Sequence, residues 1–567
     1  MYFYLFMQNT LSFFRVLVLL LTLSFGVFAQ KIQVGPFSLR VNGTQKEKNQ
    51  WGPSEITYRI ANDSLVFQVT EFSWDPKTNL GQAKGGEIQG DKLGHKNARL
   101  QIDVMQFEPA NGTLRFISAD WVENEKEING EGTLTLRRKG KNFNFEFRGT
   151  ESTEISGEAW TAVGKPGYTD LRRSLRDAAL QFGSLGTMSA SLIWFLPDSS
   201  ILVPQGRWTS SLSGTDSLTR GDLAGQWYPK NQTFHFKKLT GSTNRTLFED
   251  TFHEMRMSVD LGVLRVKEKR IDFYQISGRN QVPAWLESKD YYNDGRIQEL
   301  QGLLNYSPMR ILYRYLVENK VETATIGDVA ALVNRKPEQL QSGFQSYVDA
   351  GYLKLTDDLY SFTALGRHYA RVAYEKKDFD TFYAASMGEN LDADSASISL
   401  DLVDKKLRIR GIQQVMISDS LKAEFIPYDE ALTFQKGRDF NFLGEIKIGD
   451  YRFRGPDFAF KFNDFTAQFT KIDSITFVPK GQSKEFGGQF RYESGSIILS
   501  APGNKSGRFG VAEYPKLLIP NGMTAHFDEP WRANGVYESR YYFKVPSIEL
   551  DSPTQKSPVF IGTFTSP

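Results

Sequence analysis

The chain has 567 residues, with 68 Lys and Arg against 66 Asp and Glu, and its net charge of +2 excludes the strongly basic balance of most nucleic-acid-binding proteins. It has no cysteine, which excludes disulfides, thiolate metal sites and cysteine nucleophiles. Its 43 Phe and 24 Tyr favour β-sheet where they alternate with polar residues.

Residues 1–29 have the pattern of a secretory signal peptide. Arg15 is the only charge, residues 16–28 are an apolar run, and Ala29 precedes the predicted cleavage site. The run is shorter than the ~20 residues that a membrane span needs, so a cleaved signal is favoured over an uncleaved anchor. We therefore predict an exported chain with no transmembrane span after cleavage, in the periplasm, associated with the outer membrane, or at the cell surface.

Residues 30–290 are predicted to form an N-terminal β-repeat region. Apolar residues alternate with polar ones, for example over residues 56–60, 65–69 and 143–147. Turn signals such as Asn111-Gly112 separate these runs. This pattern is typical of short antiparallel strands.

One stretch within this region has helical spacing instead. Leu171, Leu175, Ala178 and Phe182 would share one face, and the pattern predicts a short helix over residues 169–183. Its other side is basic, and we predict a solvated face there, with phosphate or headgroup binding as the alternative. That side consists of Arg172, Arg173 and Arg176.

A short phrase of the form Phe-x-Pro, followed after four intervening residues by Leu-x-Phe, occurs three times, with Pro204 in place of the last Phe in one copy. The turn-forming residues between its two halves predict a hairpin in each copy. Repeated use of one unit is typical of modular β architectures. The copies are Phe107-Glu108-Pro109 with Leu114-Arg115-Phe116, Phe195-Leu196-Pro197 with Leu202-Val203-Pro204, and Phe425-Ile426-Pro427 with Leu432-Thr433-Phe434.

Residues 295–385 change to helical spacing. Helices are predicted to begin near Pro308, Thr325 and Pro337, followed by a hairpin over residues 352–362 and a last helix from about Ala364. Three helices and a hairpin in this order resemble a winged-helix module. Its third helix offers glutamines and acids rather than the several cations that phosphate binding requires. We therefore predict a packing or protein-contact role and no nucleic-acid partner.

A polar connector precedes a second β-repeat region, residues 397–567. Asp392 and Asp394 in the connector lack the glycine and distal glutamate of a calcium loop, so we interpret it as a linker. Further on, Phe458, Phe460 and Phe462 would project from one face of a sheet. That face is either a core, if a second sheet covers it, or an open apolar groove for acyl chains or a partner strand.

The stretch over residues 407–479 resembles large, uncharacterised exported β-repeat proteins of Gram-negative envelopes, as do residues 270–274 and 495–543. The architecture is also similar, more weakly, to the stacked β-jellyroll of OstA-like lipopolysaccharide-transport proteins. The resemblance implies a modular β fold and transfers no catalytic residue. Proteins of this group are longer, so we expect that the chain is a piece of a longer protein or a split product. The motifs are Arg410-Gly411-Ile412, Ile417-Ser418-Asp419, Phe453-Arg454-Gly455, Asp457-Phe458-Ala459-Phe460, Ile472-Asp473-Ser474 and Tyr541-Tyr542-Phe543.

No residue constellation in the sequence indicates a reaction. His253-Glu254 begins like a zinc-protease helix, but Met257 stands where the second histidine belongs. His235 alternates with two phenylalanines, which predicts that it faces away from a core. We therefore predict no catalytic, cofactor-binding or metal-binding residues.

The predicted fold is mainly β, with repeated antiparallel units of sandwich or jellyroll type and a winged-helix-like α insertion. The predicted function is that of a non-catalytic structural or interaction protein of the cell envelope. Its expected partners are other envelope proteins or a lipid or glycan ligand. A lipid-bridging or lipopolysaccharide-bridging β protein is the first alternative. A carbohydrate-active enzyme is the second, because a carboxylate pair is defined by its separation in space and not by sequence.

Overall fold

A computed structural model of the chain describes residues 27–34, 37–60, 63–136, 143–169, 172–239, 247–276, 283–302, 304–387, 396–477, 486–491, 494–510, 513–528, 536–551 and 561–566. Most of the predicted signal peptide and the connector with Asp392 and Asp394 lie outside these residues. The described chain is mainly β, with large antiparallel sheets and five α-helices. It divides into two compact units, residues 1–180 with 189–203 and residues 181–188 with 204–567.

The first unit consists of antiparallel strands and one short 3₁₀ turn, Gly90–Leu93. Its strands are β1 Val27–Val34, β2 Phe37–Glu47, β3 Gln50–Ile60, β4 Asp63–Val69, β5 Glu71–Asp75, β6 Leu80–Lys84, β7 Glu87–Gln89, β8 Ala98–Glu108, β9 Thr113–Glu123, β10 Lys126–Leu136, β11 Phe143–Gly149, β12 Thr153–Ser156, β13 Thr161–Thr169, β14 Arg173–Gln181 and β15 Thr187–Phe195.

Long strands in the first unit pair with different neighbours along their two halves. The first half of β8 pairs with β7 and its second half with β6, with a register shift between Ile102 and Val104. Such a bulge bends a strand, and here the two halves of β8 pair with different strands. Aromatic rings fill the core, and Tyr58 and Phe72 lie 5.5 and 6.0 Å from Phe107.

The helix predicted over residues 169–183 is wrong, because Arg173–Gln181 form strand β14. Asp177 has a φ of +45°, which shifts the alternation of side chains by one residue. Leu175 and Ala178, three apart, are therefore buried on the same side. A left-handed residue within a strand thus produced the spacing of a helix.

The sequence predicts a solvated face for the arginines of this stretch, but their side chains make contacts within the unit. The guanidinium of Arg172 lies 4.0 Å from the ring centre of Trp194, and that of Arg173 lies 5.7 Å from the ring of Tyr168. Arg176 donates a hydrogen bond to the backbone oxygen of Gly149 at 3.2 Å. These side chains pack on aromatic rings and backbone of the same unit.

The second unit contains the remaining strands and all five helices. Its strands are β16 Ile201–Ser213, β17 Asp216–Tyr228, β18 Thr233–Lys238, β19 Phe248–Asp250, β20 Met255–Ser258, β21 Leu261–Arg265, β22 Arg270–Tyr274, β23 Trp285–Ser288, β24 Ala324–Thr325, β25 Leu353–Thr356, β26 Leu359–Phe362, β27 Tyr383–Ala385, β28 Ile398–Asp401, β29 Leu407–Arg410, β30 Val415–Ser418, β31 Ala423–Pro427, β32 Ala431–Phe434, β33 Phe440–Ile448, β34 Tyr451–Lys461, β35 Thr466–Lys471, β36 Ser474–Phe477, β37 Phe486–Arg491, β38 Gly495–Ile498, β39 Lys516–Ile519, β40 Met523–His526, β41 Tyr542–Val545, β42 Ile548–Asp551 and β43 Thr563–Thr565.

The strands of the second unit form two ladders that share the long strands β33 and β34. β33 pairs with β32 near its start and with β31 further on, while β34 pairs with β36 near its start and with β35 near its end. The bend in β33 falls at Gly444, where an added Cβ would clash with the backbone oxygen of Ile426. Glycine is therefore required there by the close approach of two backbones.

Phenylalanine rings fill the space between the two ladders. The ring of Phe425 lies 5.1 Å from that of Phe460, which belongs to the other ladder. Phe458, Phe460 and Phe462 are 0%, 1% and 0% exposed. The face that they share is therefore a core. The alternative interpretation as an open apolar groove is wrong at this face, because the opposite ladder covers it.

The three Phe-x-Pro copies have different surroundings. The first is a hairpin, with Phe107 paired with Leu114 across β8 and β9. In another copy the N–H of Leu196 donates to the oxygen of Ser200 at 3.0 Å and closes the turn. The copy at Phe425 is not a hairpin, because β31 pairs with β30 and β33, whereas β32 pairs with β29 and β33. There the chain crosses from one ladder to the other.

The helical segment begins with a helix at Asp294–Gln301 that the sequence does not predict, and then follows the predicted order of helices and hairpin. The winged-helix likeness itself stays a prediction. Ser307 and Thr363 accept hydrogen bonds from the first-turn N–H groups of two helices, and Thr325 forms a capping box with Asp328. Strands β24, β26 and β25 form a separate small sheet. The helices are α1 Asp294–Gln301, α2 Pro308–Asn319, α3 Ile326–Leu332, α4 Pro337–Asp349 and α5 Ala364–Tyr374.

Among the described residues, no helix has both the length and the apolar character needed to cross a membrane. The longest, α4, has 13 residues. A span requires roughly 20.

Candidate functional site

Charged side chains are buried together in the second unit. Arg438 is 3% exposed and Asp380 is 1% exposed. Charged residues are almost never this deeply buried unless they are paired. We call Arg438, Asp380, Asp290, Glu254 and Ser288 the Arg438 cluster, and it is the strongest candidate site that the described residues offer.

The guanidinium of Arg438 is the centre of this cluster. Its Nη1 donates to Asp380 Oδ2 at 3.0 Å, to Asp290 Oδ2 at 3.2 Å and to Ser288 Oγ at 2.9 Å. Its Nη2 lies 2.9 Å from Glu254 Oε2. One arginine thus neutralises parts of three carboxylates that are far apart in the sequence.

Local backbone geometry holds Arg438 in place. It ends a short turn, Lys436–Arg438, in which Gly437 and Arg438 both have positive φ, at +72° and +73°. The N–H of Gly437 donates to the oxygen of Phe252 at 3.0 Å. A positive φ is unfavourable for arginine, so the surrounding contacts must maintain it.

Backbone pairing brings the acidic partners to Arg438. The N–H of Ser288, at the end of β23, donates to the oxygen of Phe382 at 3.2 Å. Asp380 forms a parallel bridge with Tyr291, just beyond Asp290. The end of β23 and the segment before β27 therefore present their carboxylates side by side.

A second group of charges continues from Asp290 to helix α5. Lys377 Nζ lies 3.3 Å from Asp290 Oδ1 and donates to Nδ1 of His368 at 3.2 Å. Because an ammonium group can only donate, Nδ1 is the acceptor and the proton of the neutral ring is on Nε2. Burial, followed by the charge of Lys377, lowers the pKa of His368 to about 4.

The two carboxylates that contact Arg438 Nη1 differ in pKa. Burial raises the pKa of Asp380 to about 6, even though Arg438 opposes the shift. Burial also acts to raise the pKa of Asp290, but the charges of Lys377 and Arg438 outweigh it, so this pKa is lowered. Unequal carboxylates occur in acid–base sites and equally in structural ion networks, so exposure must decide between the two.

A further buried ion group joins helix α1 to β23. Glu287 is completely buried, which raises its pKa, and its Oε2 accepts a hydrogen bond from Arg296 Nη1 at 2.6 Å. The guanidinium of Arg296 also lies 5.2 Å from the ring centre of Trp285 and 4.9 Å from that of Tyr291. The helical segment is thus fastened to the sheet by an ion pair and by aromatic packing.

A cavity of about 440 Å³ lies beside the Arg438 cluster. Its wall contains Glu254, Asp290, His368 and Lys377 from the groups described above. Other charged residues in the wall are already paired, for example Lys289 with Glu254. The cavity therefore offers space, but much of its charge is used within the chain.

The histidines singled out in the sequence have structural surroundings. His253 is buried, with Nδ1 2.6 Å from Asp250 Oδ2 and Nε2 2.8 Å from the backbone oxygen of Lys405. The ring of His235 lies 4.6 Å from that of Tyr228, on the side of the sheet away from the two flanking phenylalanines. Within the described part of the chain, no group of three His, Asp or Glu side chains is placed to hold a metal ion.

The Arg438 cluster has no signature in the sequence. Its members come from four separate stretches of chain, and each is an ordinary charged or polar residue in or near a turn. The one available signal was Lys436-Gly437-Arg438, a glycine between two cations before a strand. That signal does not identify any partner.

Comparison of the sequence with protein-family models and with curated proteins gives no match. The resemblance to exported envelope β-repeat proteins is therefore still a prediction from sequence motifs. What the chain does has to be argued from the geometry of its own residues.

Proposed function

We propose that the chain is an exported, non-catalytic structural or interaction protein of the Gram-negative cell envelope. The observation that carries this proposal is the internal pairing of the Arg438 cluster. Both terminal nitrogens of Arg438 contact side chains of the cluster, namely Asp380, Asp290, Ser288 and Glu254. Arg438 and Asp380 are enclosed by the chain, and their contacts hold separate chain segments together. Asp290 and Glu254 also line the cavity of about 440 Å³, where each is ion-paired with cations of the chain.

The burial of Asp380 supports the same proposal. Its raised pKa is the property expected of a general acid, but a general acid must come within hydrogen-bond reach of the substrate. At 1% exposure, its carboxyl group is enclosed by the chain itself. A fastening between the helical segment and the β ladders explains both its burial and its partners.

The architecture is also suited to a scaffold. The sequence has no cysteine, and the ladders are held by wide aromatic cores such as the one around Phe425 and Phe460. Export is supported by the signal-like residues 1–29 and by the resemblance to envelope proteins.

The two alternative functions have less support. The lipid-bridging alternative requires an open phenylalanine face, and Phe458 and Phe460 are buried. The two-ladder architecture is the observation that still supports the lipid-bridging alternative. A carbohydrate-active enzyme would need a facing carboxylate pair that a substrate can reach. In the cavity of about 440 Å³, Asp290 and Glu254 are instead ion-paired with cations of the chain.

A turnover assay tests the non-catalytic role. The purified full-length chain is incubated with a panel of polysaccharides and esters, in parallel with the Asp290→Asn variant. The matched control is Asp404→Asn, which changes an exposed aspartate whose ion pair with Lys406 is long, at 4.0 Å. We expect no polysaccharide or ester of the panel to be turned over by the full-length chain or by either variant. Turnover that is lost in Asp290→Asn but kept in Asp404→Asn would overturn the proposal.

Export is tested separately. The full-length chain is expressed in a Gram-negative host, the cells are fractionated, and the mature N-terminus is sequenced. We expect the protein in the envelope fractions, beginning at Gln30. Retention in the cytoplasm with an intact N-terminus would contradict the proposed location.

A further inference from the structure

A second cavity, of about 420 Å³, has an aromatic wall. Tyr291, Tyr292, Phe379 and Tyr383 line it, all from the second unit. Its size lies within the range of about 300–1,000 Å³ that is usual for small-molecule sites. We call it the aromatic cavity.

The rings of this wall are held by packing behind them. Tyr291 and Tyr383 have ring centres 6.0 Å apart, and Tyr383 also packs on Trp285 at 5.5 Å. Tyr292 packs on Phe379 at 5.1 Å. Rings that are already fixed lose little conformational entropy when a ligand binds, so the wall is preorganised.

Polar groups at the cavity remain open to a ligand. Arg508 Nη1 donates to the backbone oxygens of Val372 and Lys377 at 3.0 and 3.4 Å, which leaves Nη2 and Nε without a hydrogen-bond partner among the described residues. Asp419 is exposed, and its carboxylate makes no hydrogen bond or ion pair within the part of the chain that the structure describes. The guanidinium of Arg508 also lies 5.2 Å from the ring centre of Phe379, and that of Arg296 lies 4.9 Å from the ring centre of Tyr291. The cavity thus offers two donor atoms of Arg508 and the carboxylate of Asp419 beside aromatic side chains.

We propose that the aromatic cavity binds an uncharged saccharide. A pyranose has C–H groups on its faces, which suit the electron-rich faces of tyrosine and phenylalanine. Its hydroxyl groups both donate and accept, so they suit Asp419 and Arg508 together. A saccharide would be the ligand of the interaction protein proposed above. This inference rests on the proposed function only for the cellular location in which the ligand is bound.

Other ligand classes fit less well. An acyl chain would cover Arg508 and Asp419 without satisfying them, and burying unsatisfied polar groups is unfavourable. A phosphate or carboxylate would suit Arg508, but it would be repelled by Asp419 and Asp294 in the same wall. A neutral ligand with many hydroxyl groups meets neither penalty.

The test is binding of saccharides to the purified full-length chain. A glycan array identifies the preferred saccharide, and titration calorimetry measures its affinity for wild type, Asp419→Ala and Tyr383→Leu. Asp404→Ala is the control, because it removes an exposed aspartate outside the cavity. We expect Asp419→Ala and Tyr383→Leu to weaken binding at least tenfold, about 1.4 kcal/mol, and the control to bind as wild type.

The outcomes separate this inference from the proposed function. No saccharide binding in the millimolar range, equal binding by Asp419→Ala, or binding of a fatty-acid probe in place of a saccharide would overturn the inference. Because Asp419 is exposed, its substitution leaves folding intact, and an unchanged melting temperature confirms this. A saccharide that is bound and then cleaved would overturn the non-catalytic role, while the binding site would stand.

Discussion

Replacing Arg438 by methionine tests whether the buried cluster holds the second unit together. Methionine keeps most of the side-chain volume and removes the charge. After the change, Asp290 still has Lys377, whereas Asp380 keeps the hydrogen bond from Ser288 Oγ, at 2.9 Å, and the more distant charge of Lys505. The substitution therefore leaves one buried carboxylate without a direct ion pair.

The magnitude follows from this geometry. Removing one partner of a buried ion pair costs about 3–5 kcal/mol of unfolding free energy. We expect a loss in this range for Arg438→Met at neutral pH. The loss should be smaller below pH 6, because protonation neutralises Asp380, whose pKa is already raised to about 6 in the wild type. Arg314→Met removes an exposed pair with Glu318 and should cost less than about 1 kcal/mol.

Differential scanning calorimetry is the assay. The chain has two compact units, so the transition of the unit containing Arg438 should move to lower temperature while the other stays in place. In the double variant Arg438→Met, Asp380→Leu, part of the lost stability should return, because an apolar pair can replace a buried ion pair. A cost below about 1 kcal/mol for Arg438→Met, similar to that of the surface control, would refute the structural role.

Three further predictions concern pH dependence and packing. The raised pKa of Asp380 contributes stability at low pH that is lost as the pH rises from about 4 to 6, whereas His368, with its pKa lowered from 6.5 to about 4, contributes stability that is lost as the pH falls through that window. As the pH rises from 4 to 6, the free energy of unfolding should therefore fall in His368→Gln, which keeps Asp380, and rise in Asp380→Asn, which keeps His368. Chemical denaturation measures both, and the same slope in the two variants would contradict the assigned pKa shifts. Gly444→Ala should destabilise the second unit because its Cβ would clash with backbone, whereas Gly510→Ala, with no atom within 4 Å, should stay within about 0.5 kcal/mol of wild type; equal melting temperatures would refute the bend at this glycine. Phe460→Ala should cost about 3–5 kcal/mol in the same assay, since it opens a cavity between the two ladders, and a cost below about 1 kcal/mol would mean that this face is not core.

Local patterns in the sequence predicted most of the fold. Alternation over residues 143–147 predicted strand β11, and the caps at Ser307 and Thr325 predicted two helices, because strand alternation and helix capping involve only near neighbours. The failed helix over residues 169–183 had a local cause as well. The spacing of three between Leu175 and Ala178 came from the left-handed backbone of Asp177. The residue type alone does not predict that conformation.

Features that depend on distant parts of the chain were not predictable. The Phe-x-Pro copy at Phe425 has the same residues as a hairpin, but the ladders that its two strands join decide its shape. The Arg438 cluster and the aromatic cavity combine residues more than 90 positions apart, such as Ser288 and Asp380. Sequence spacing carries no information about such contacts.

A crystal structure of the full-length chain with its preferred saccharide tests the account most directly. We predict an intact saccharide against the rings of Tyr291 and Tyr383, with hydroxyl groups bonded to Asp419, and the Arg438 cluster paired as described. A saccharide or its cleavage product in the other cavity, against Asp290 and His368, would contradict both the proposed role of the cluster and the assigned binding site.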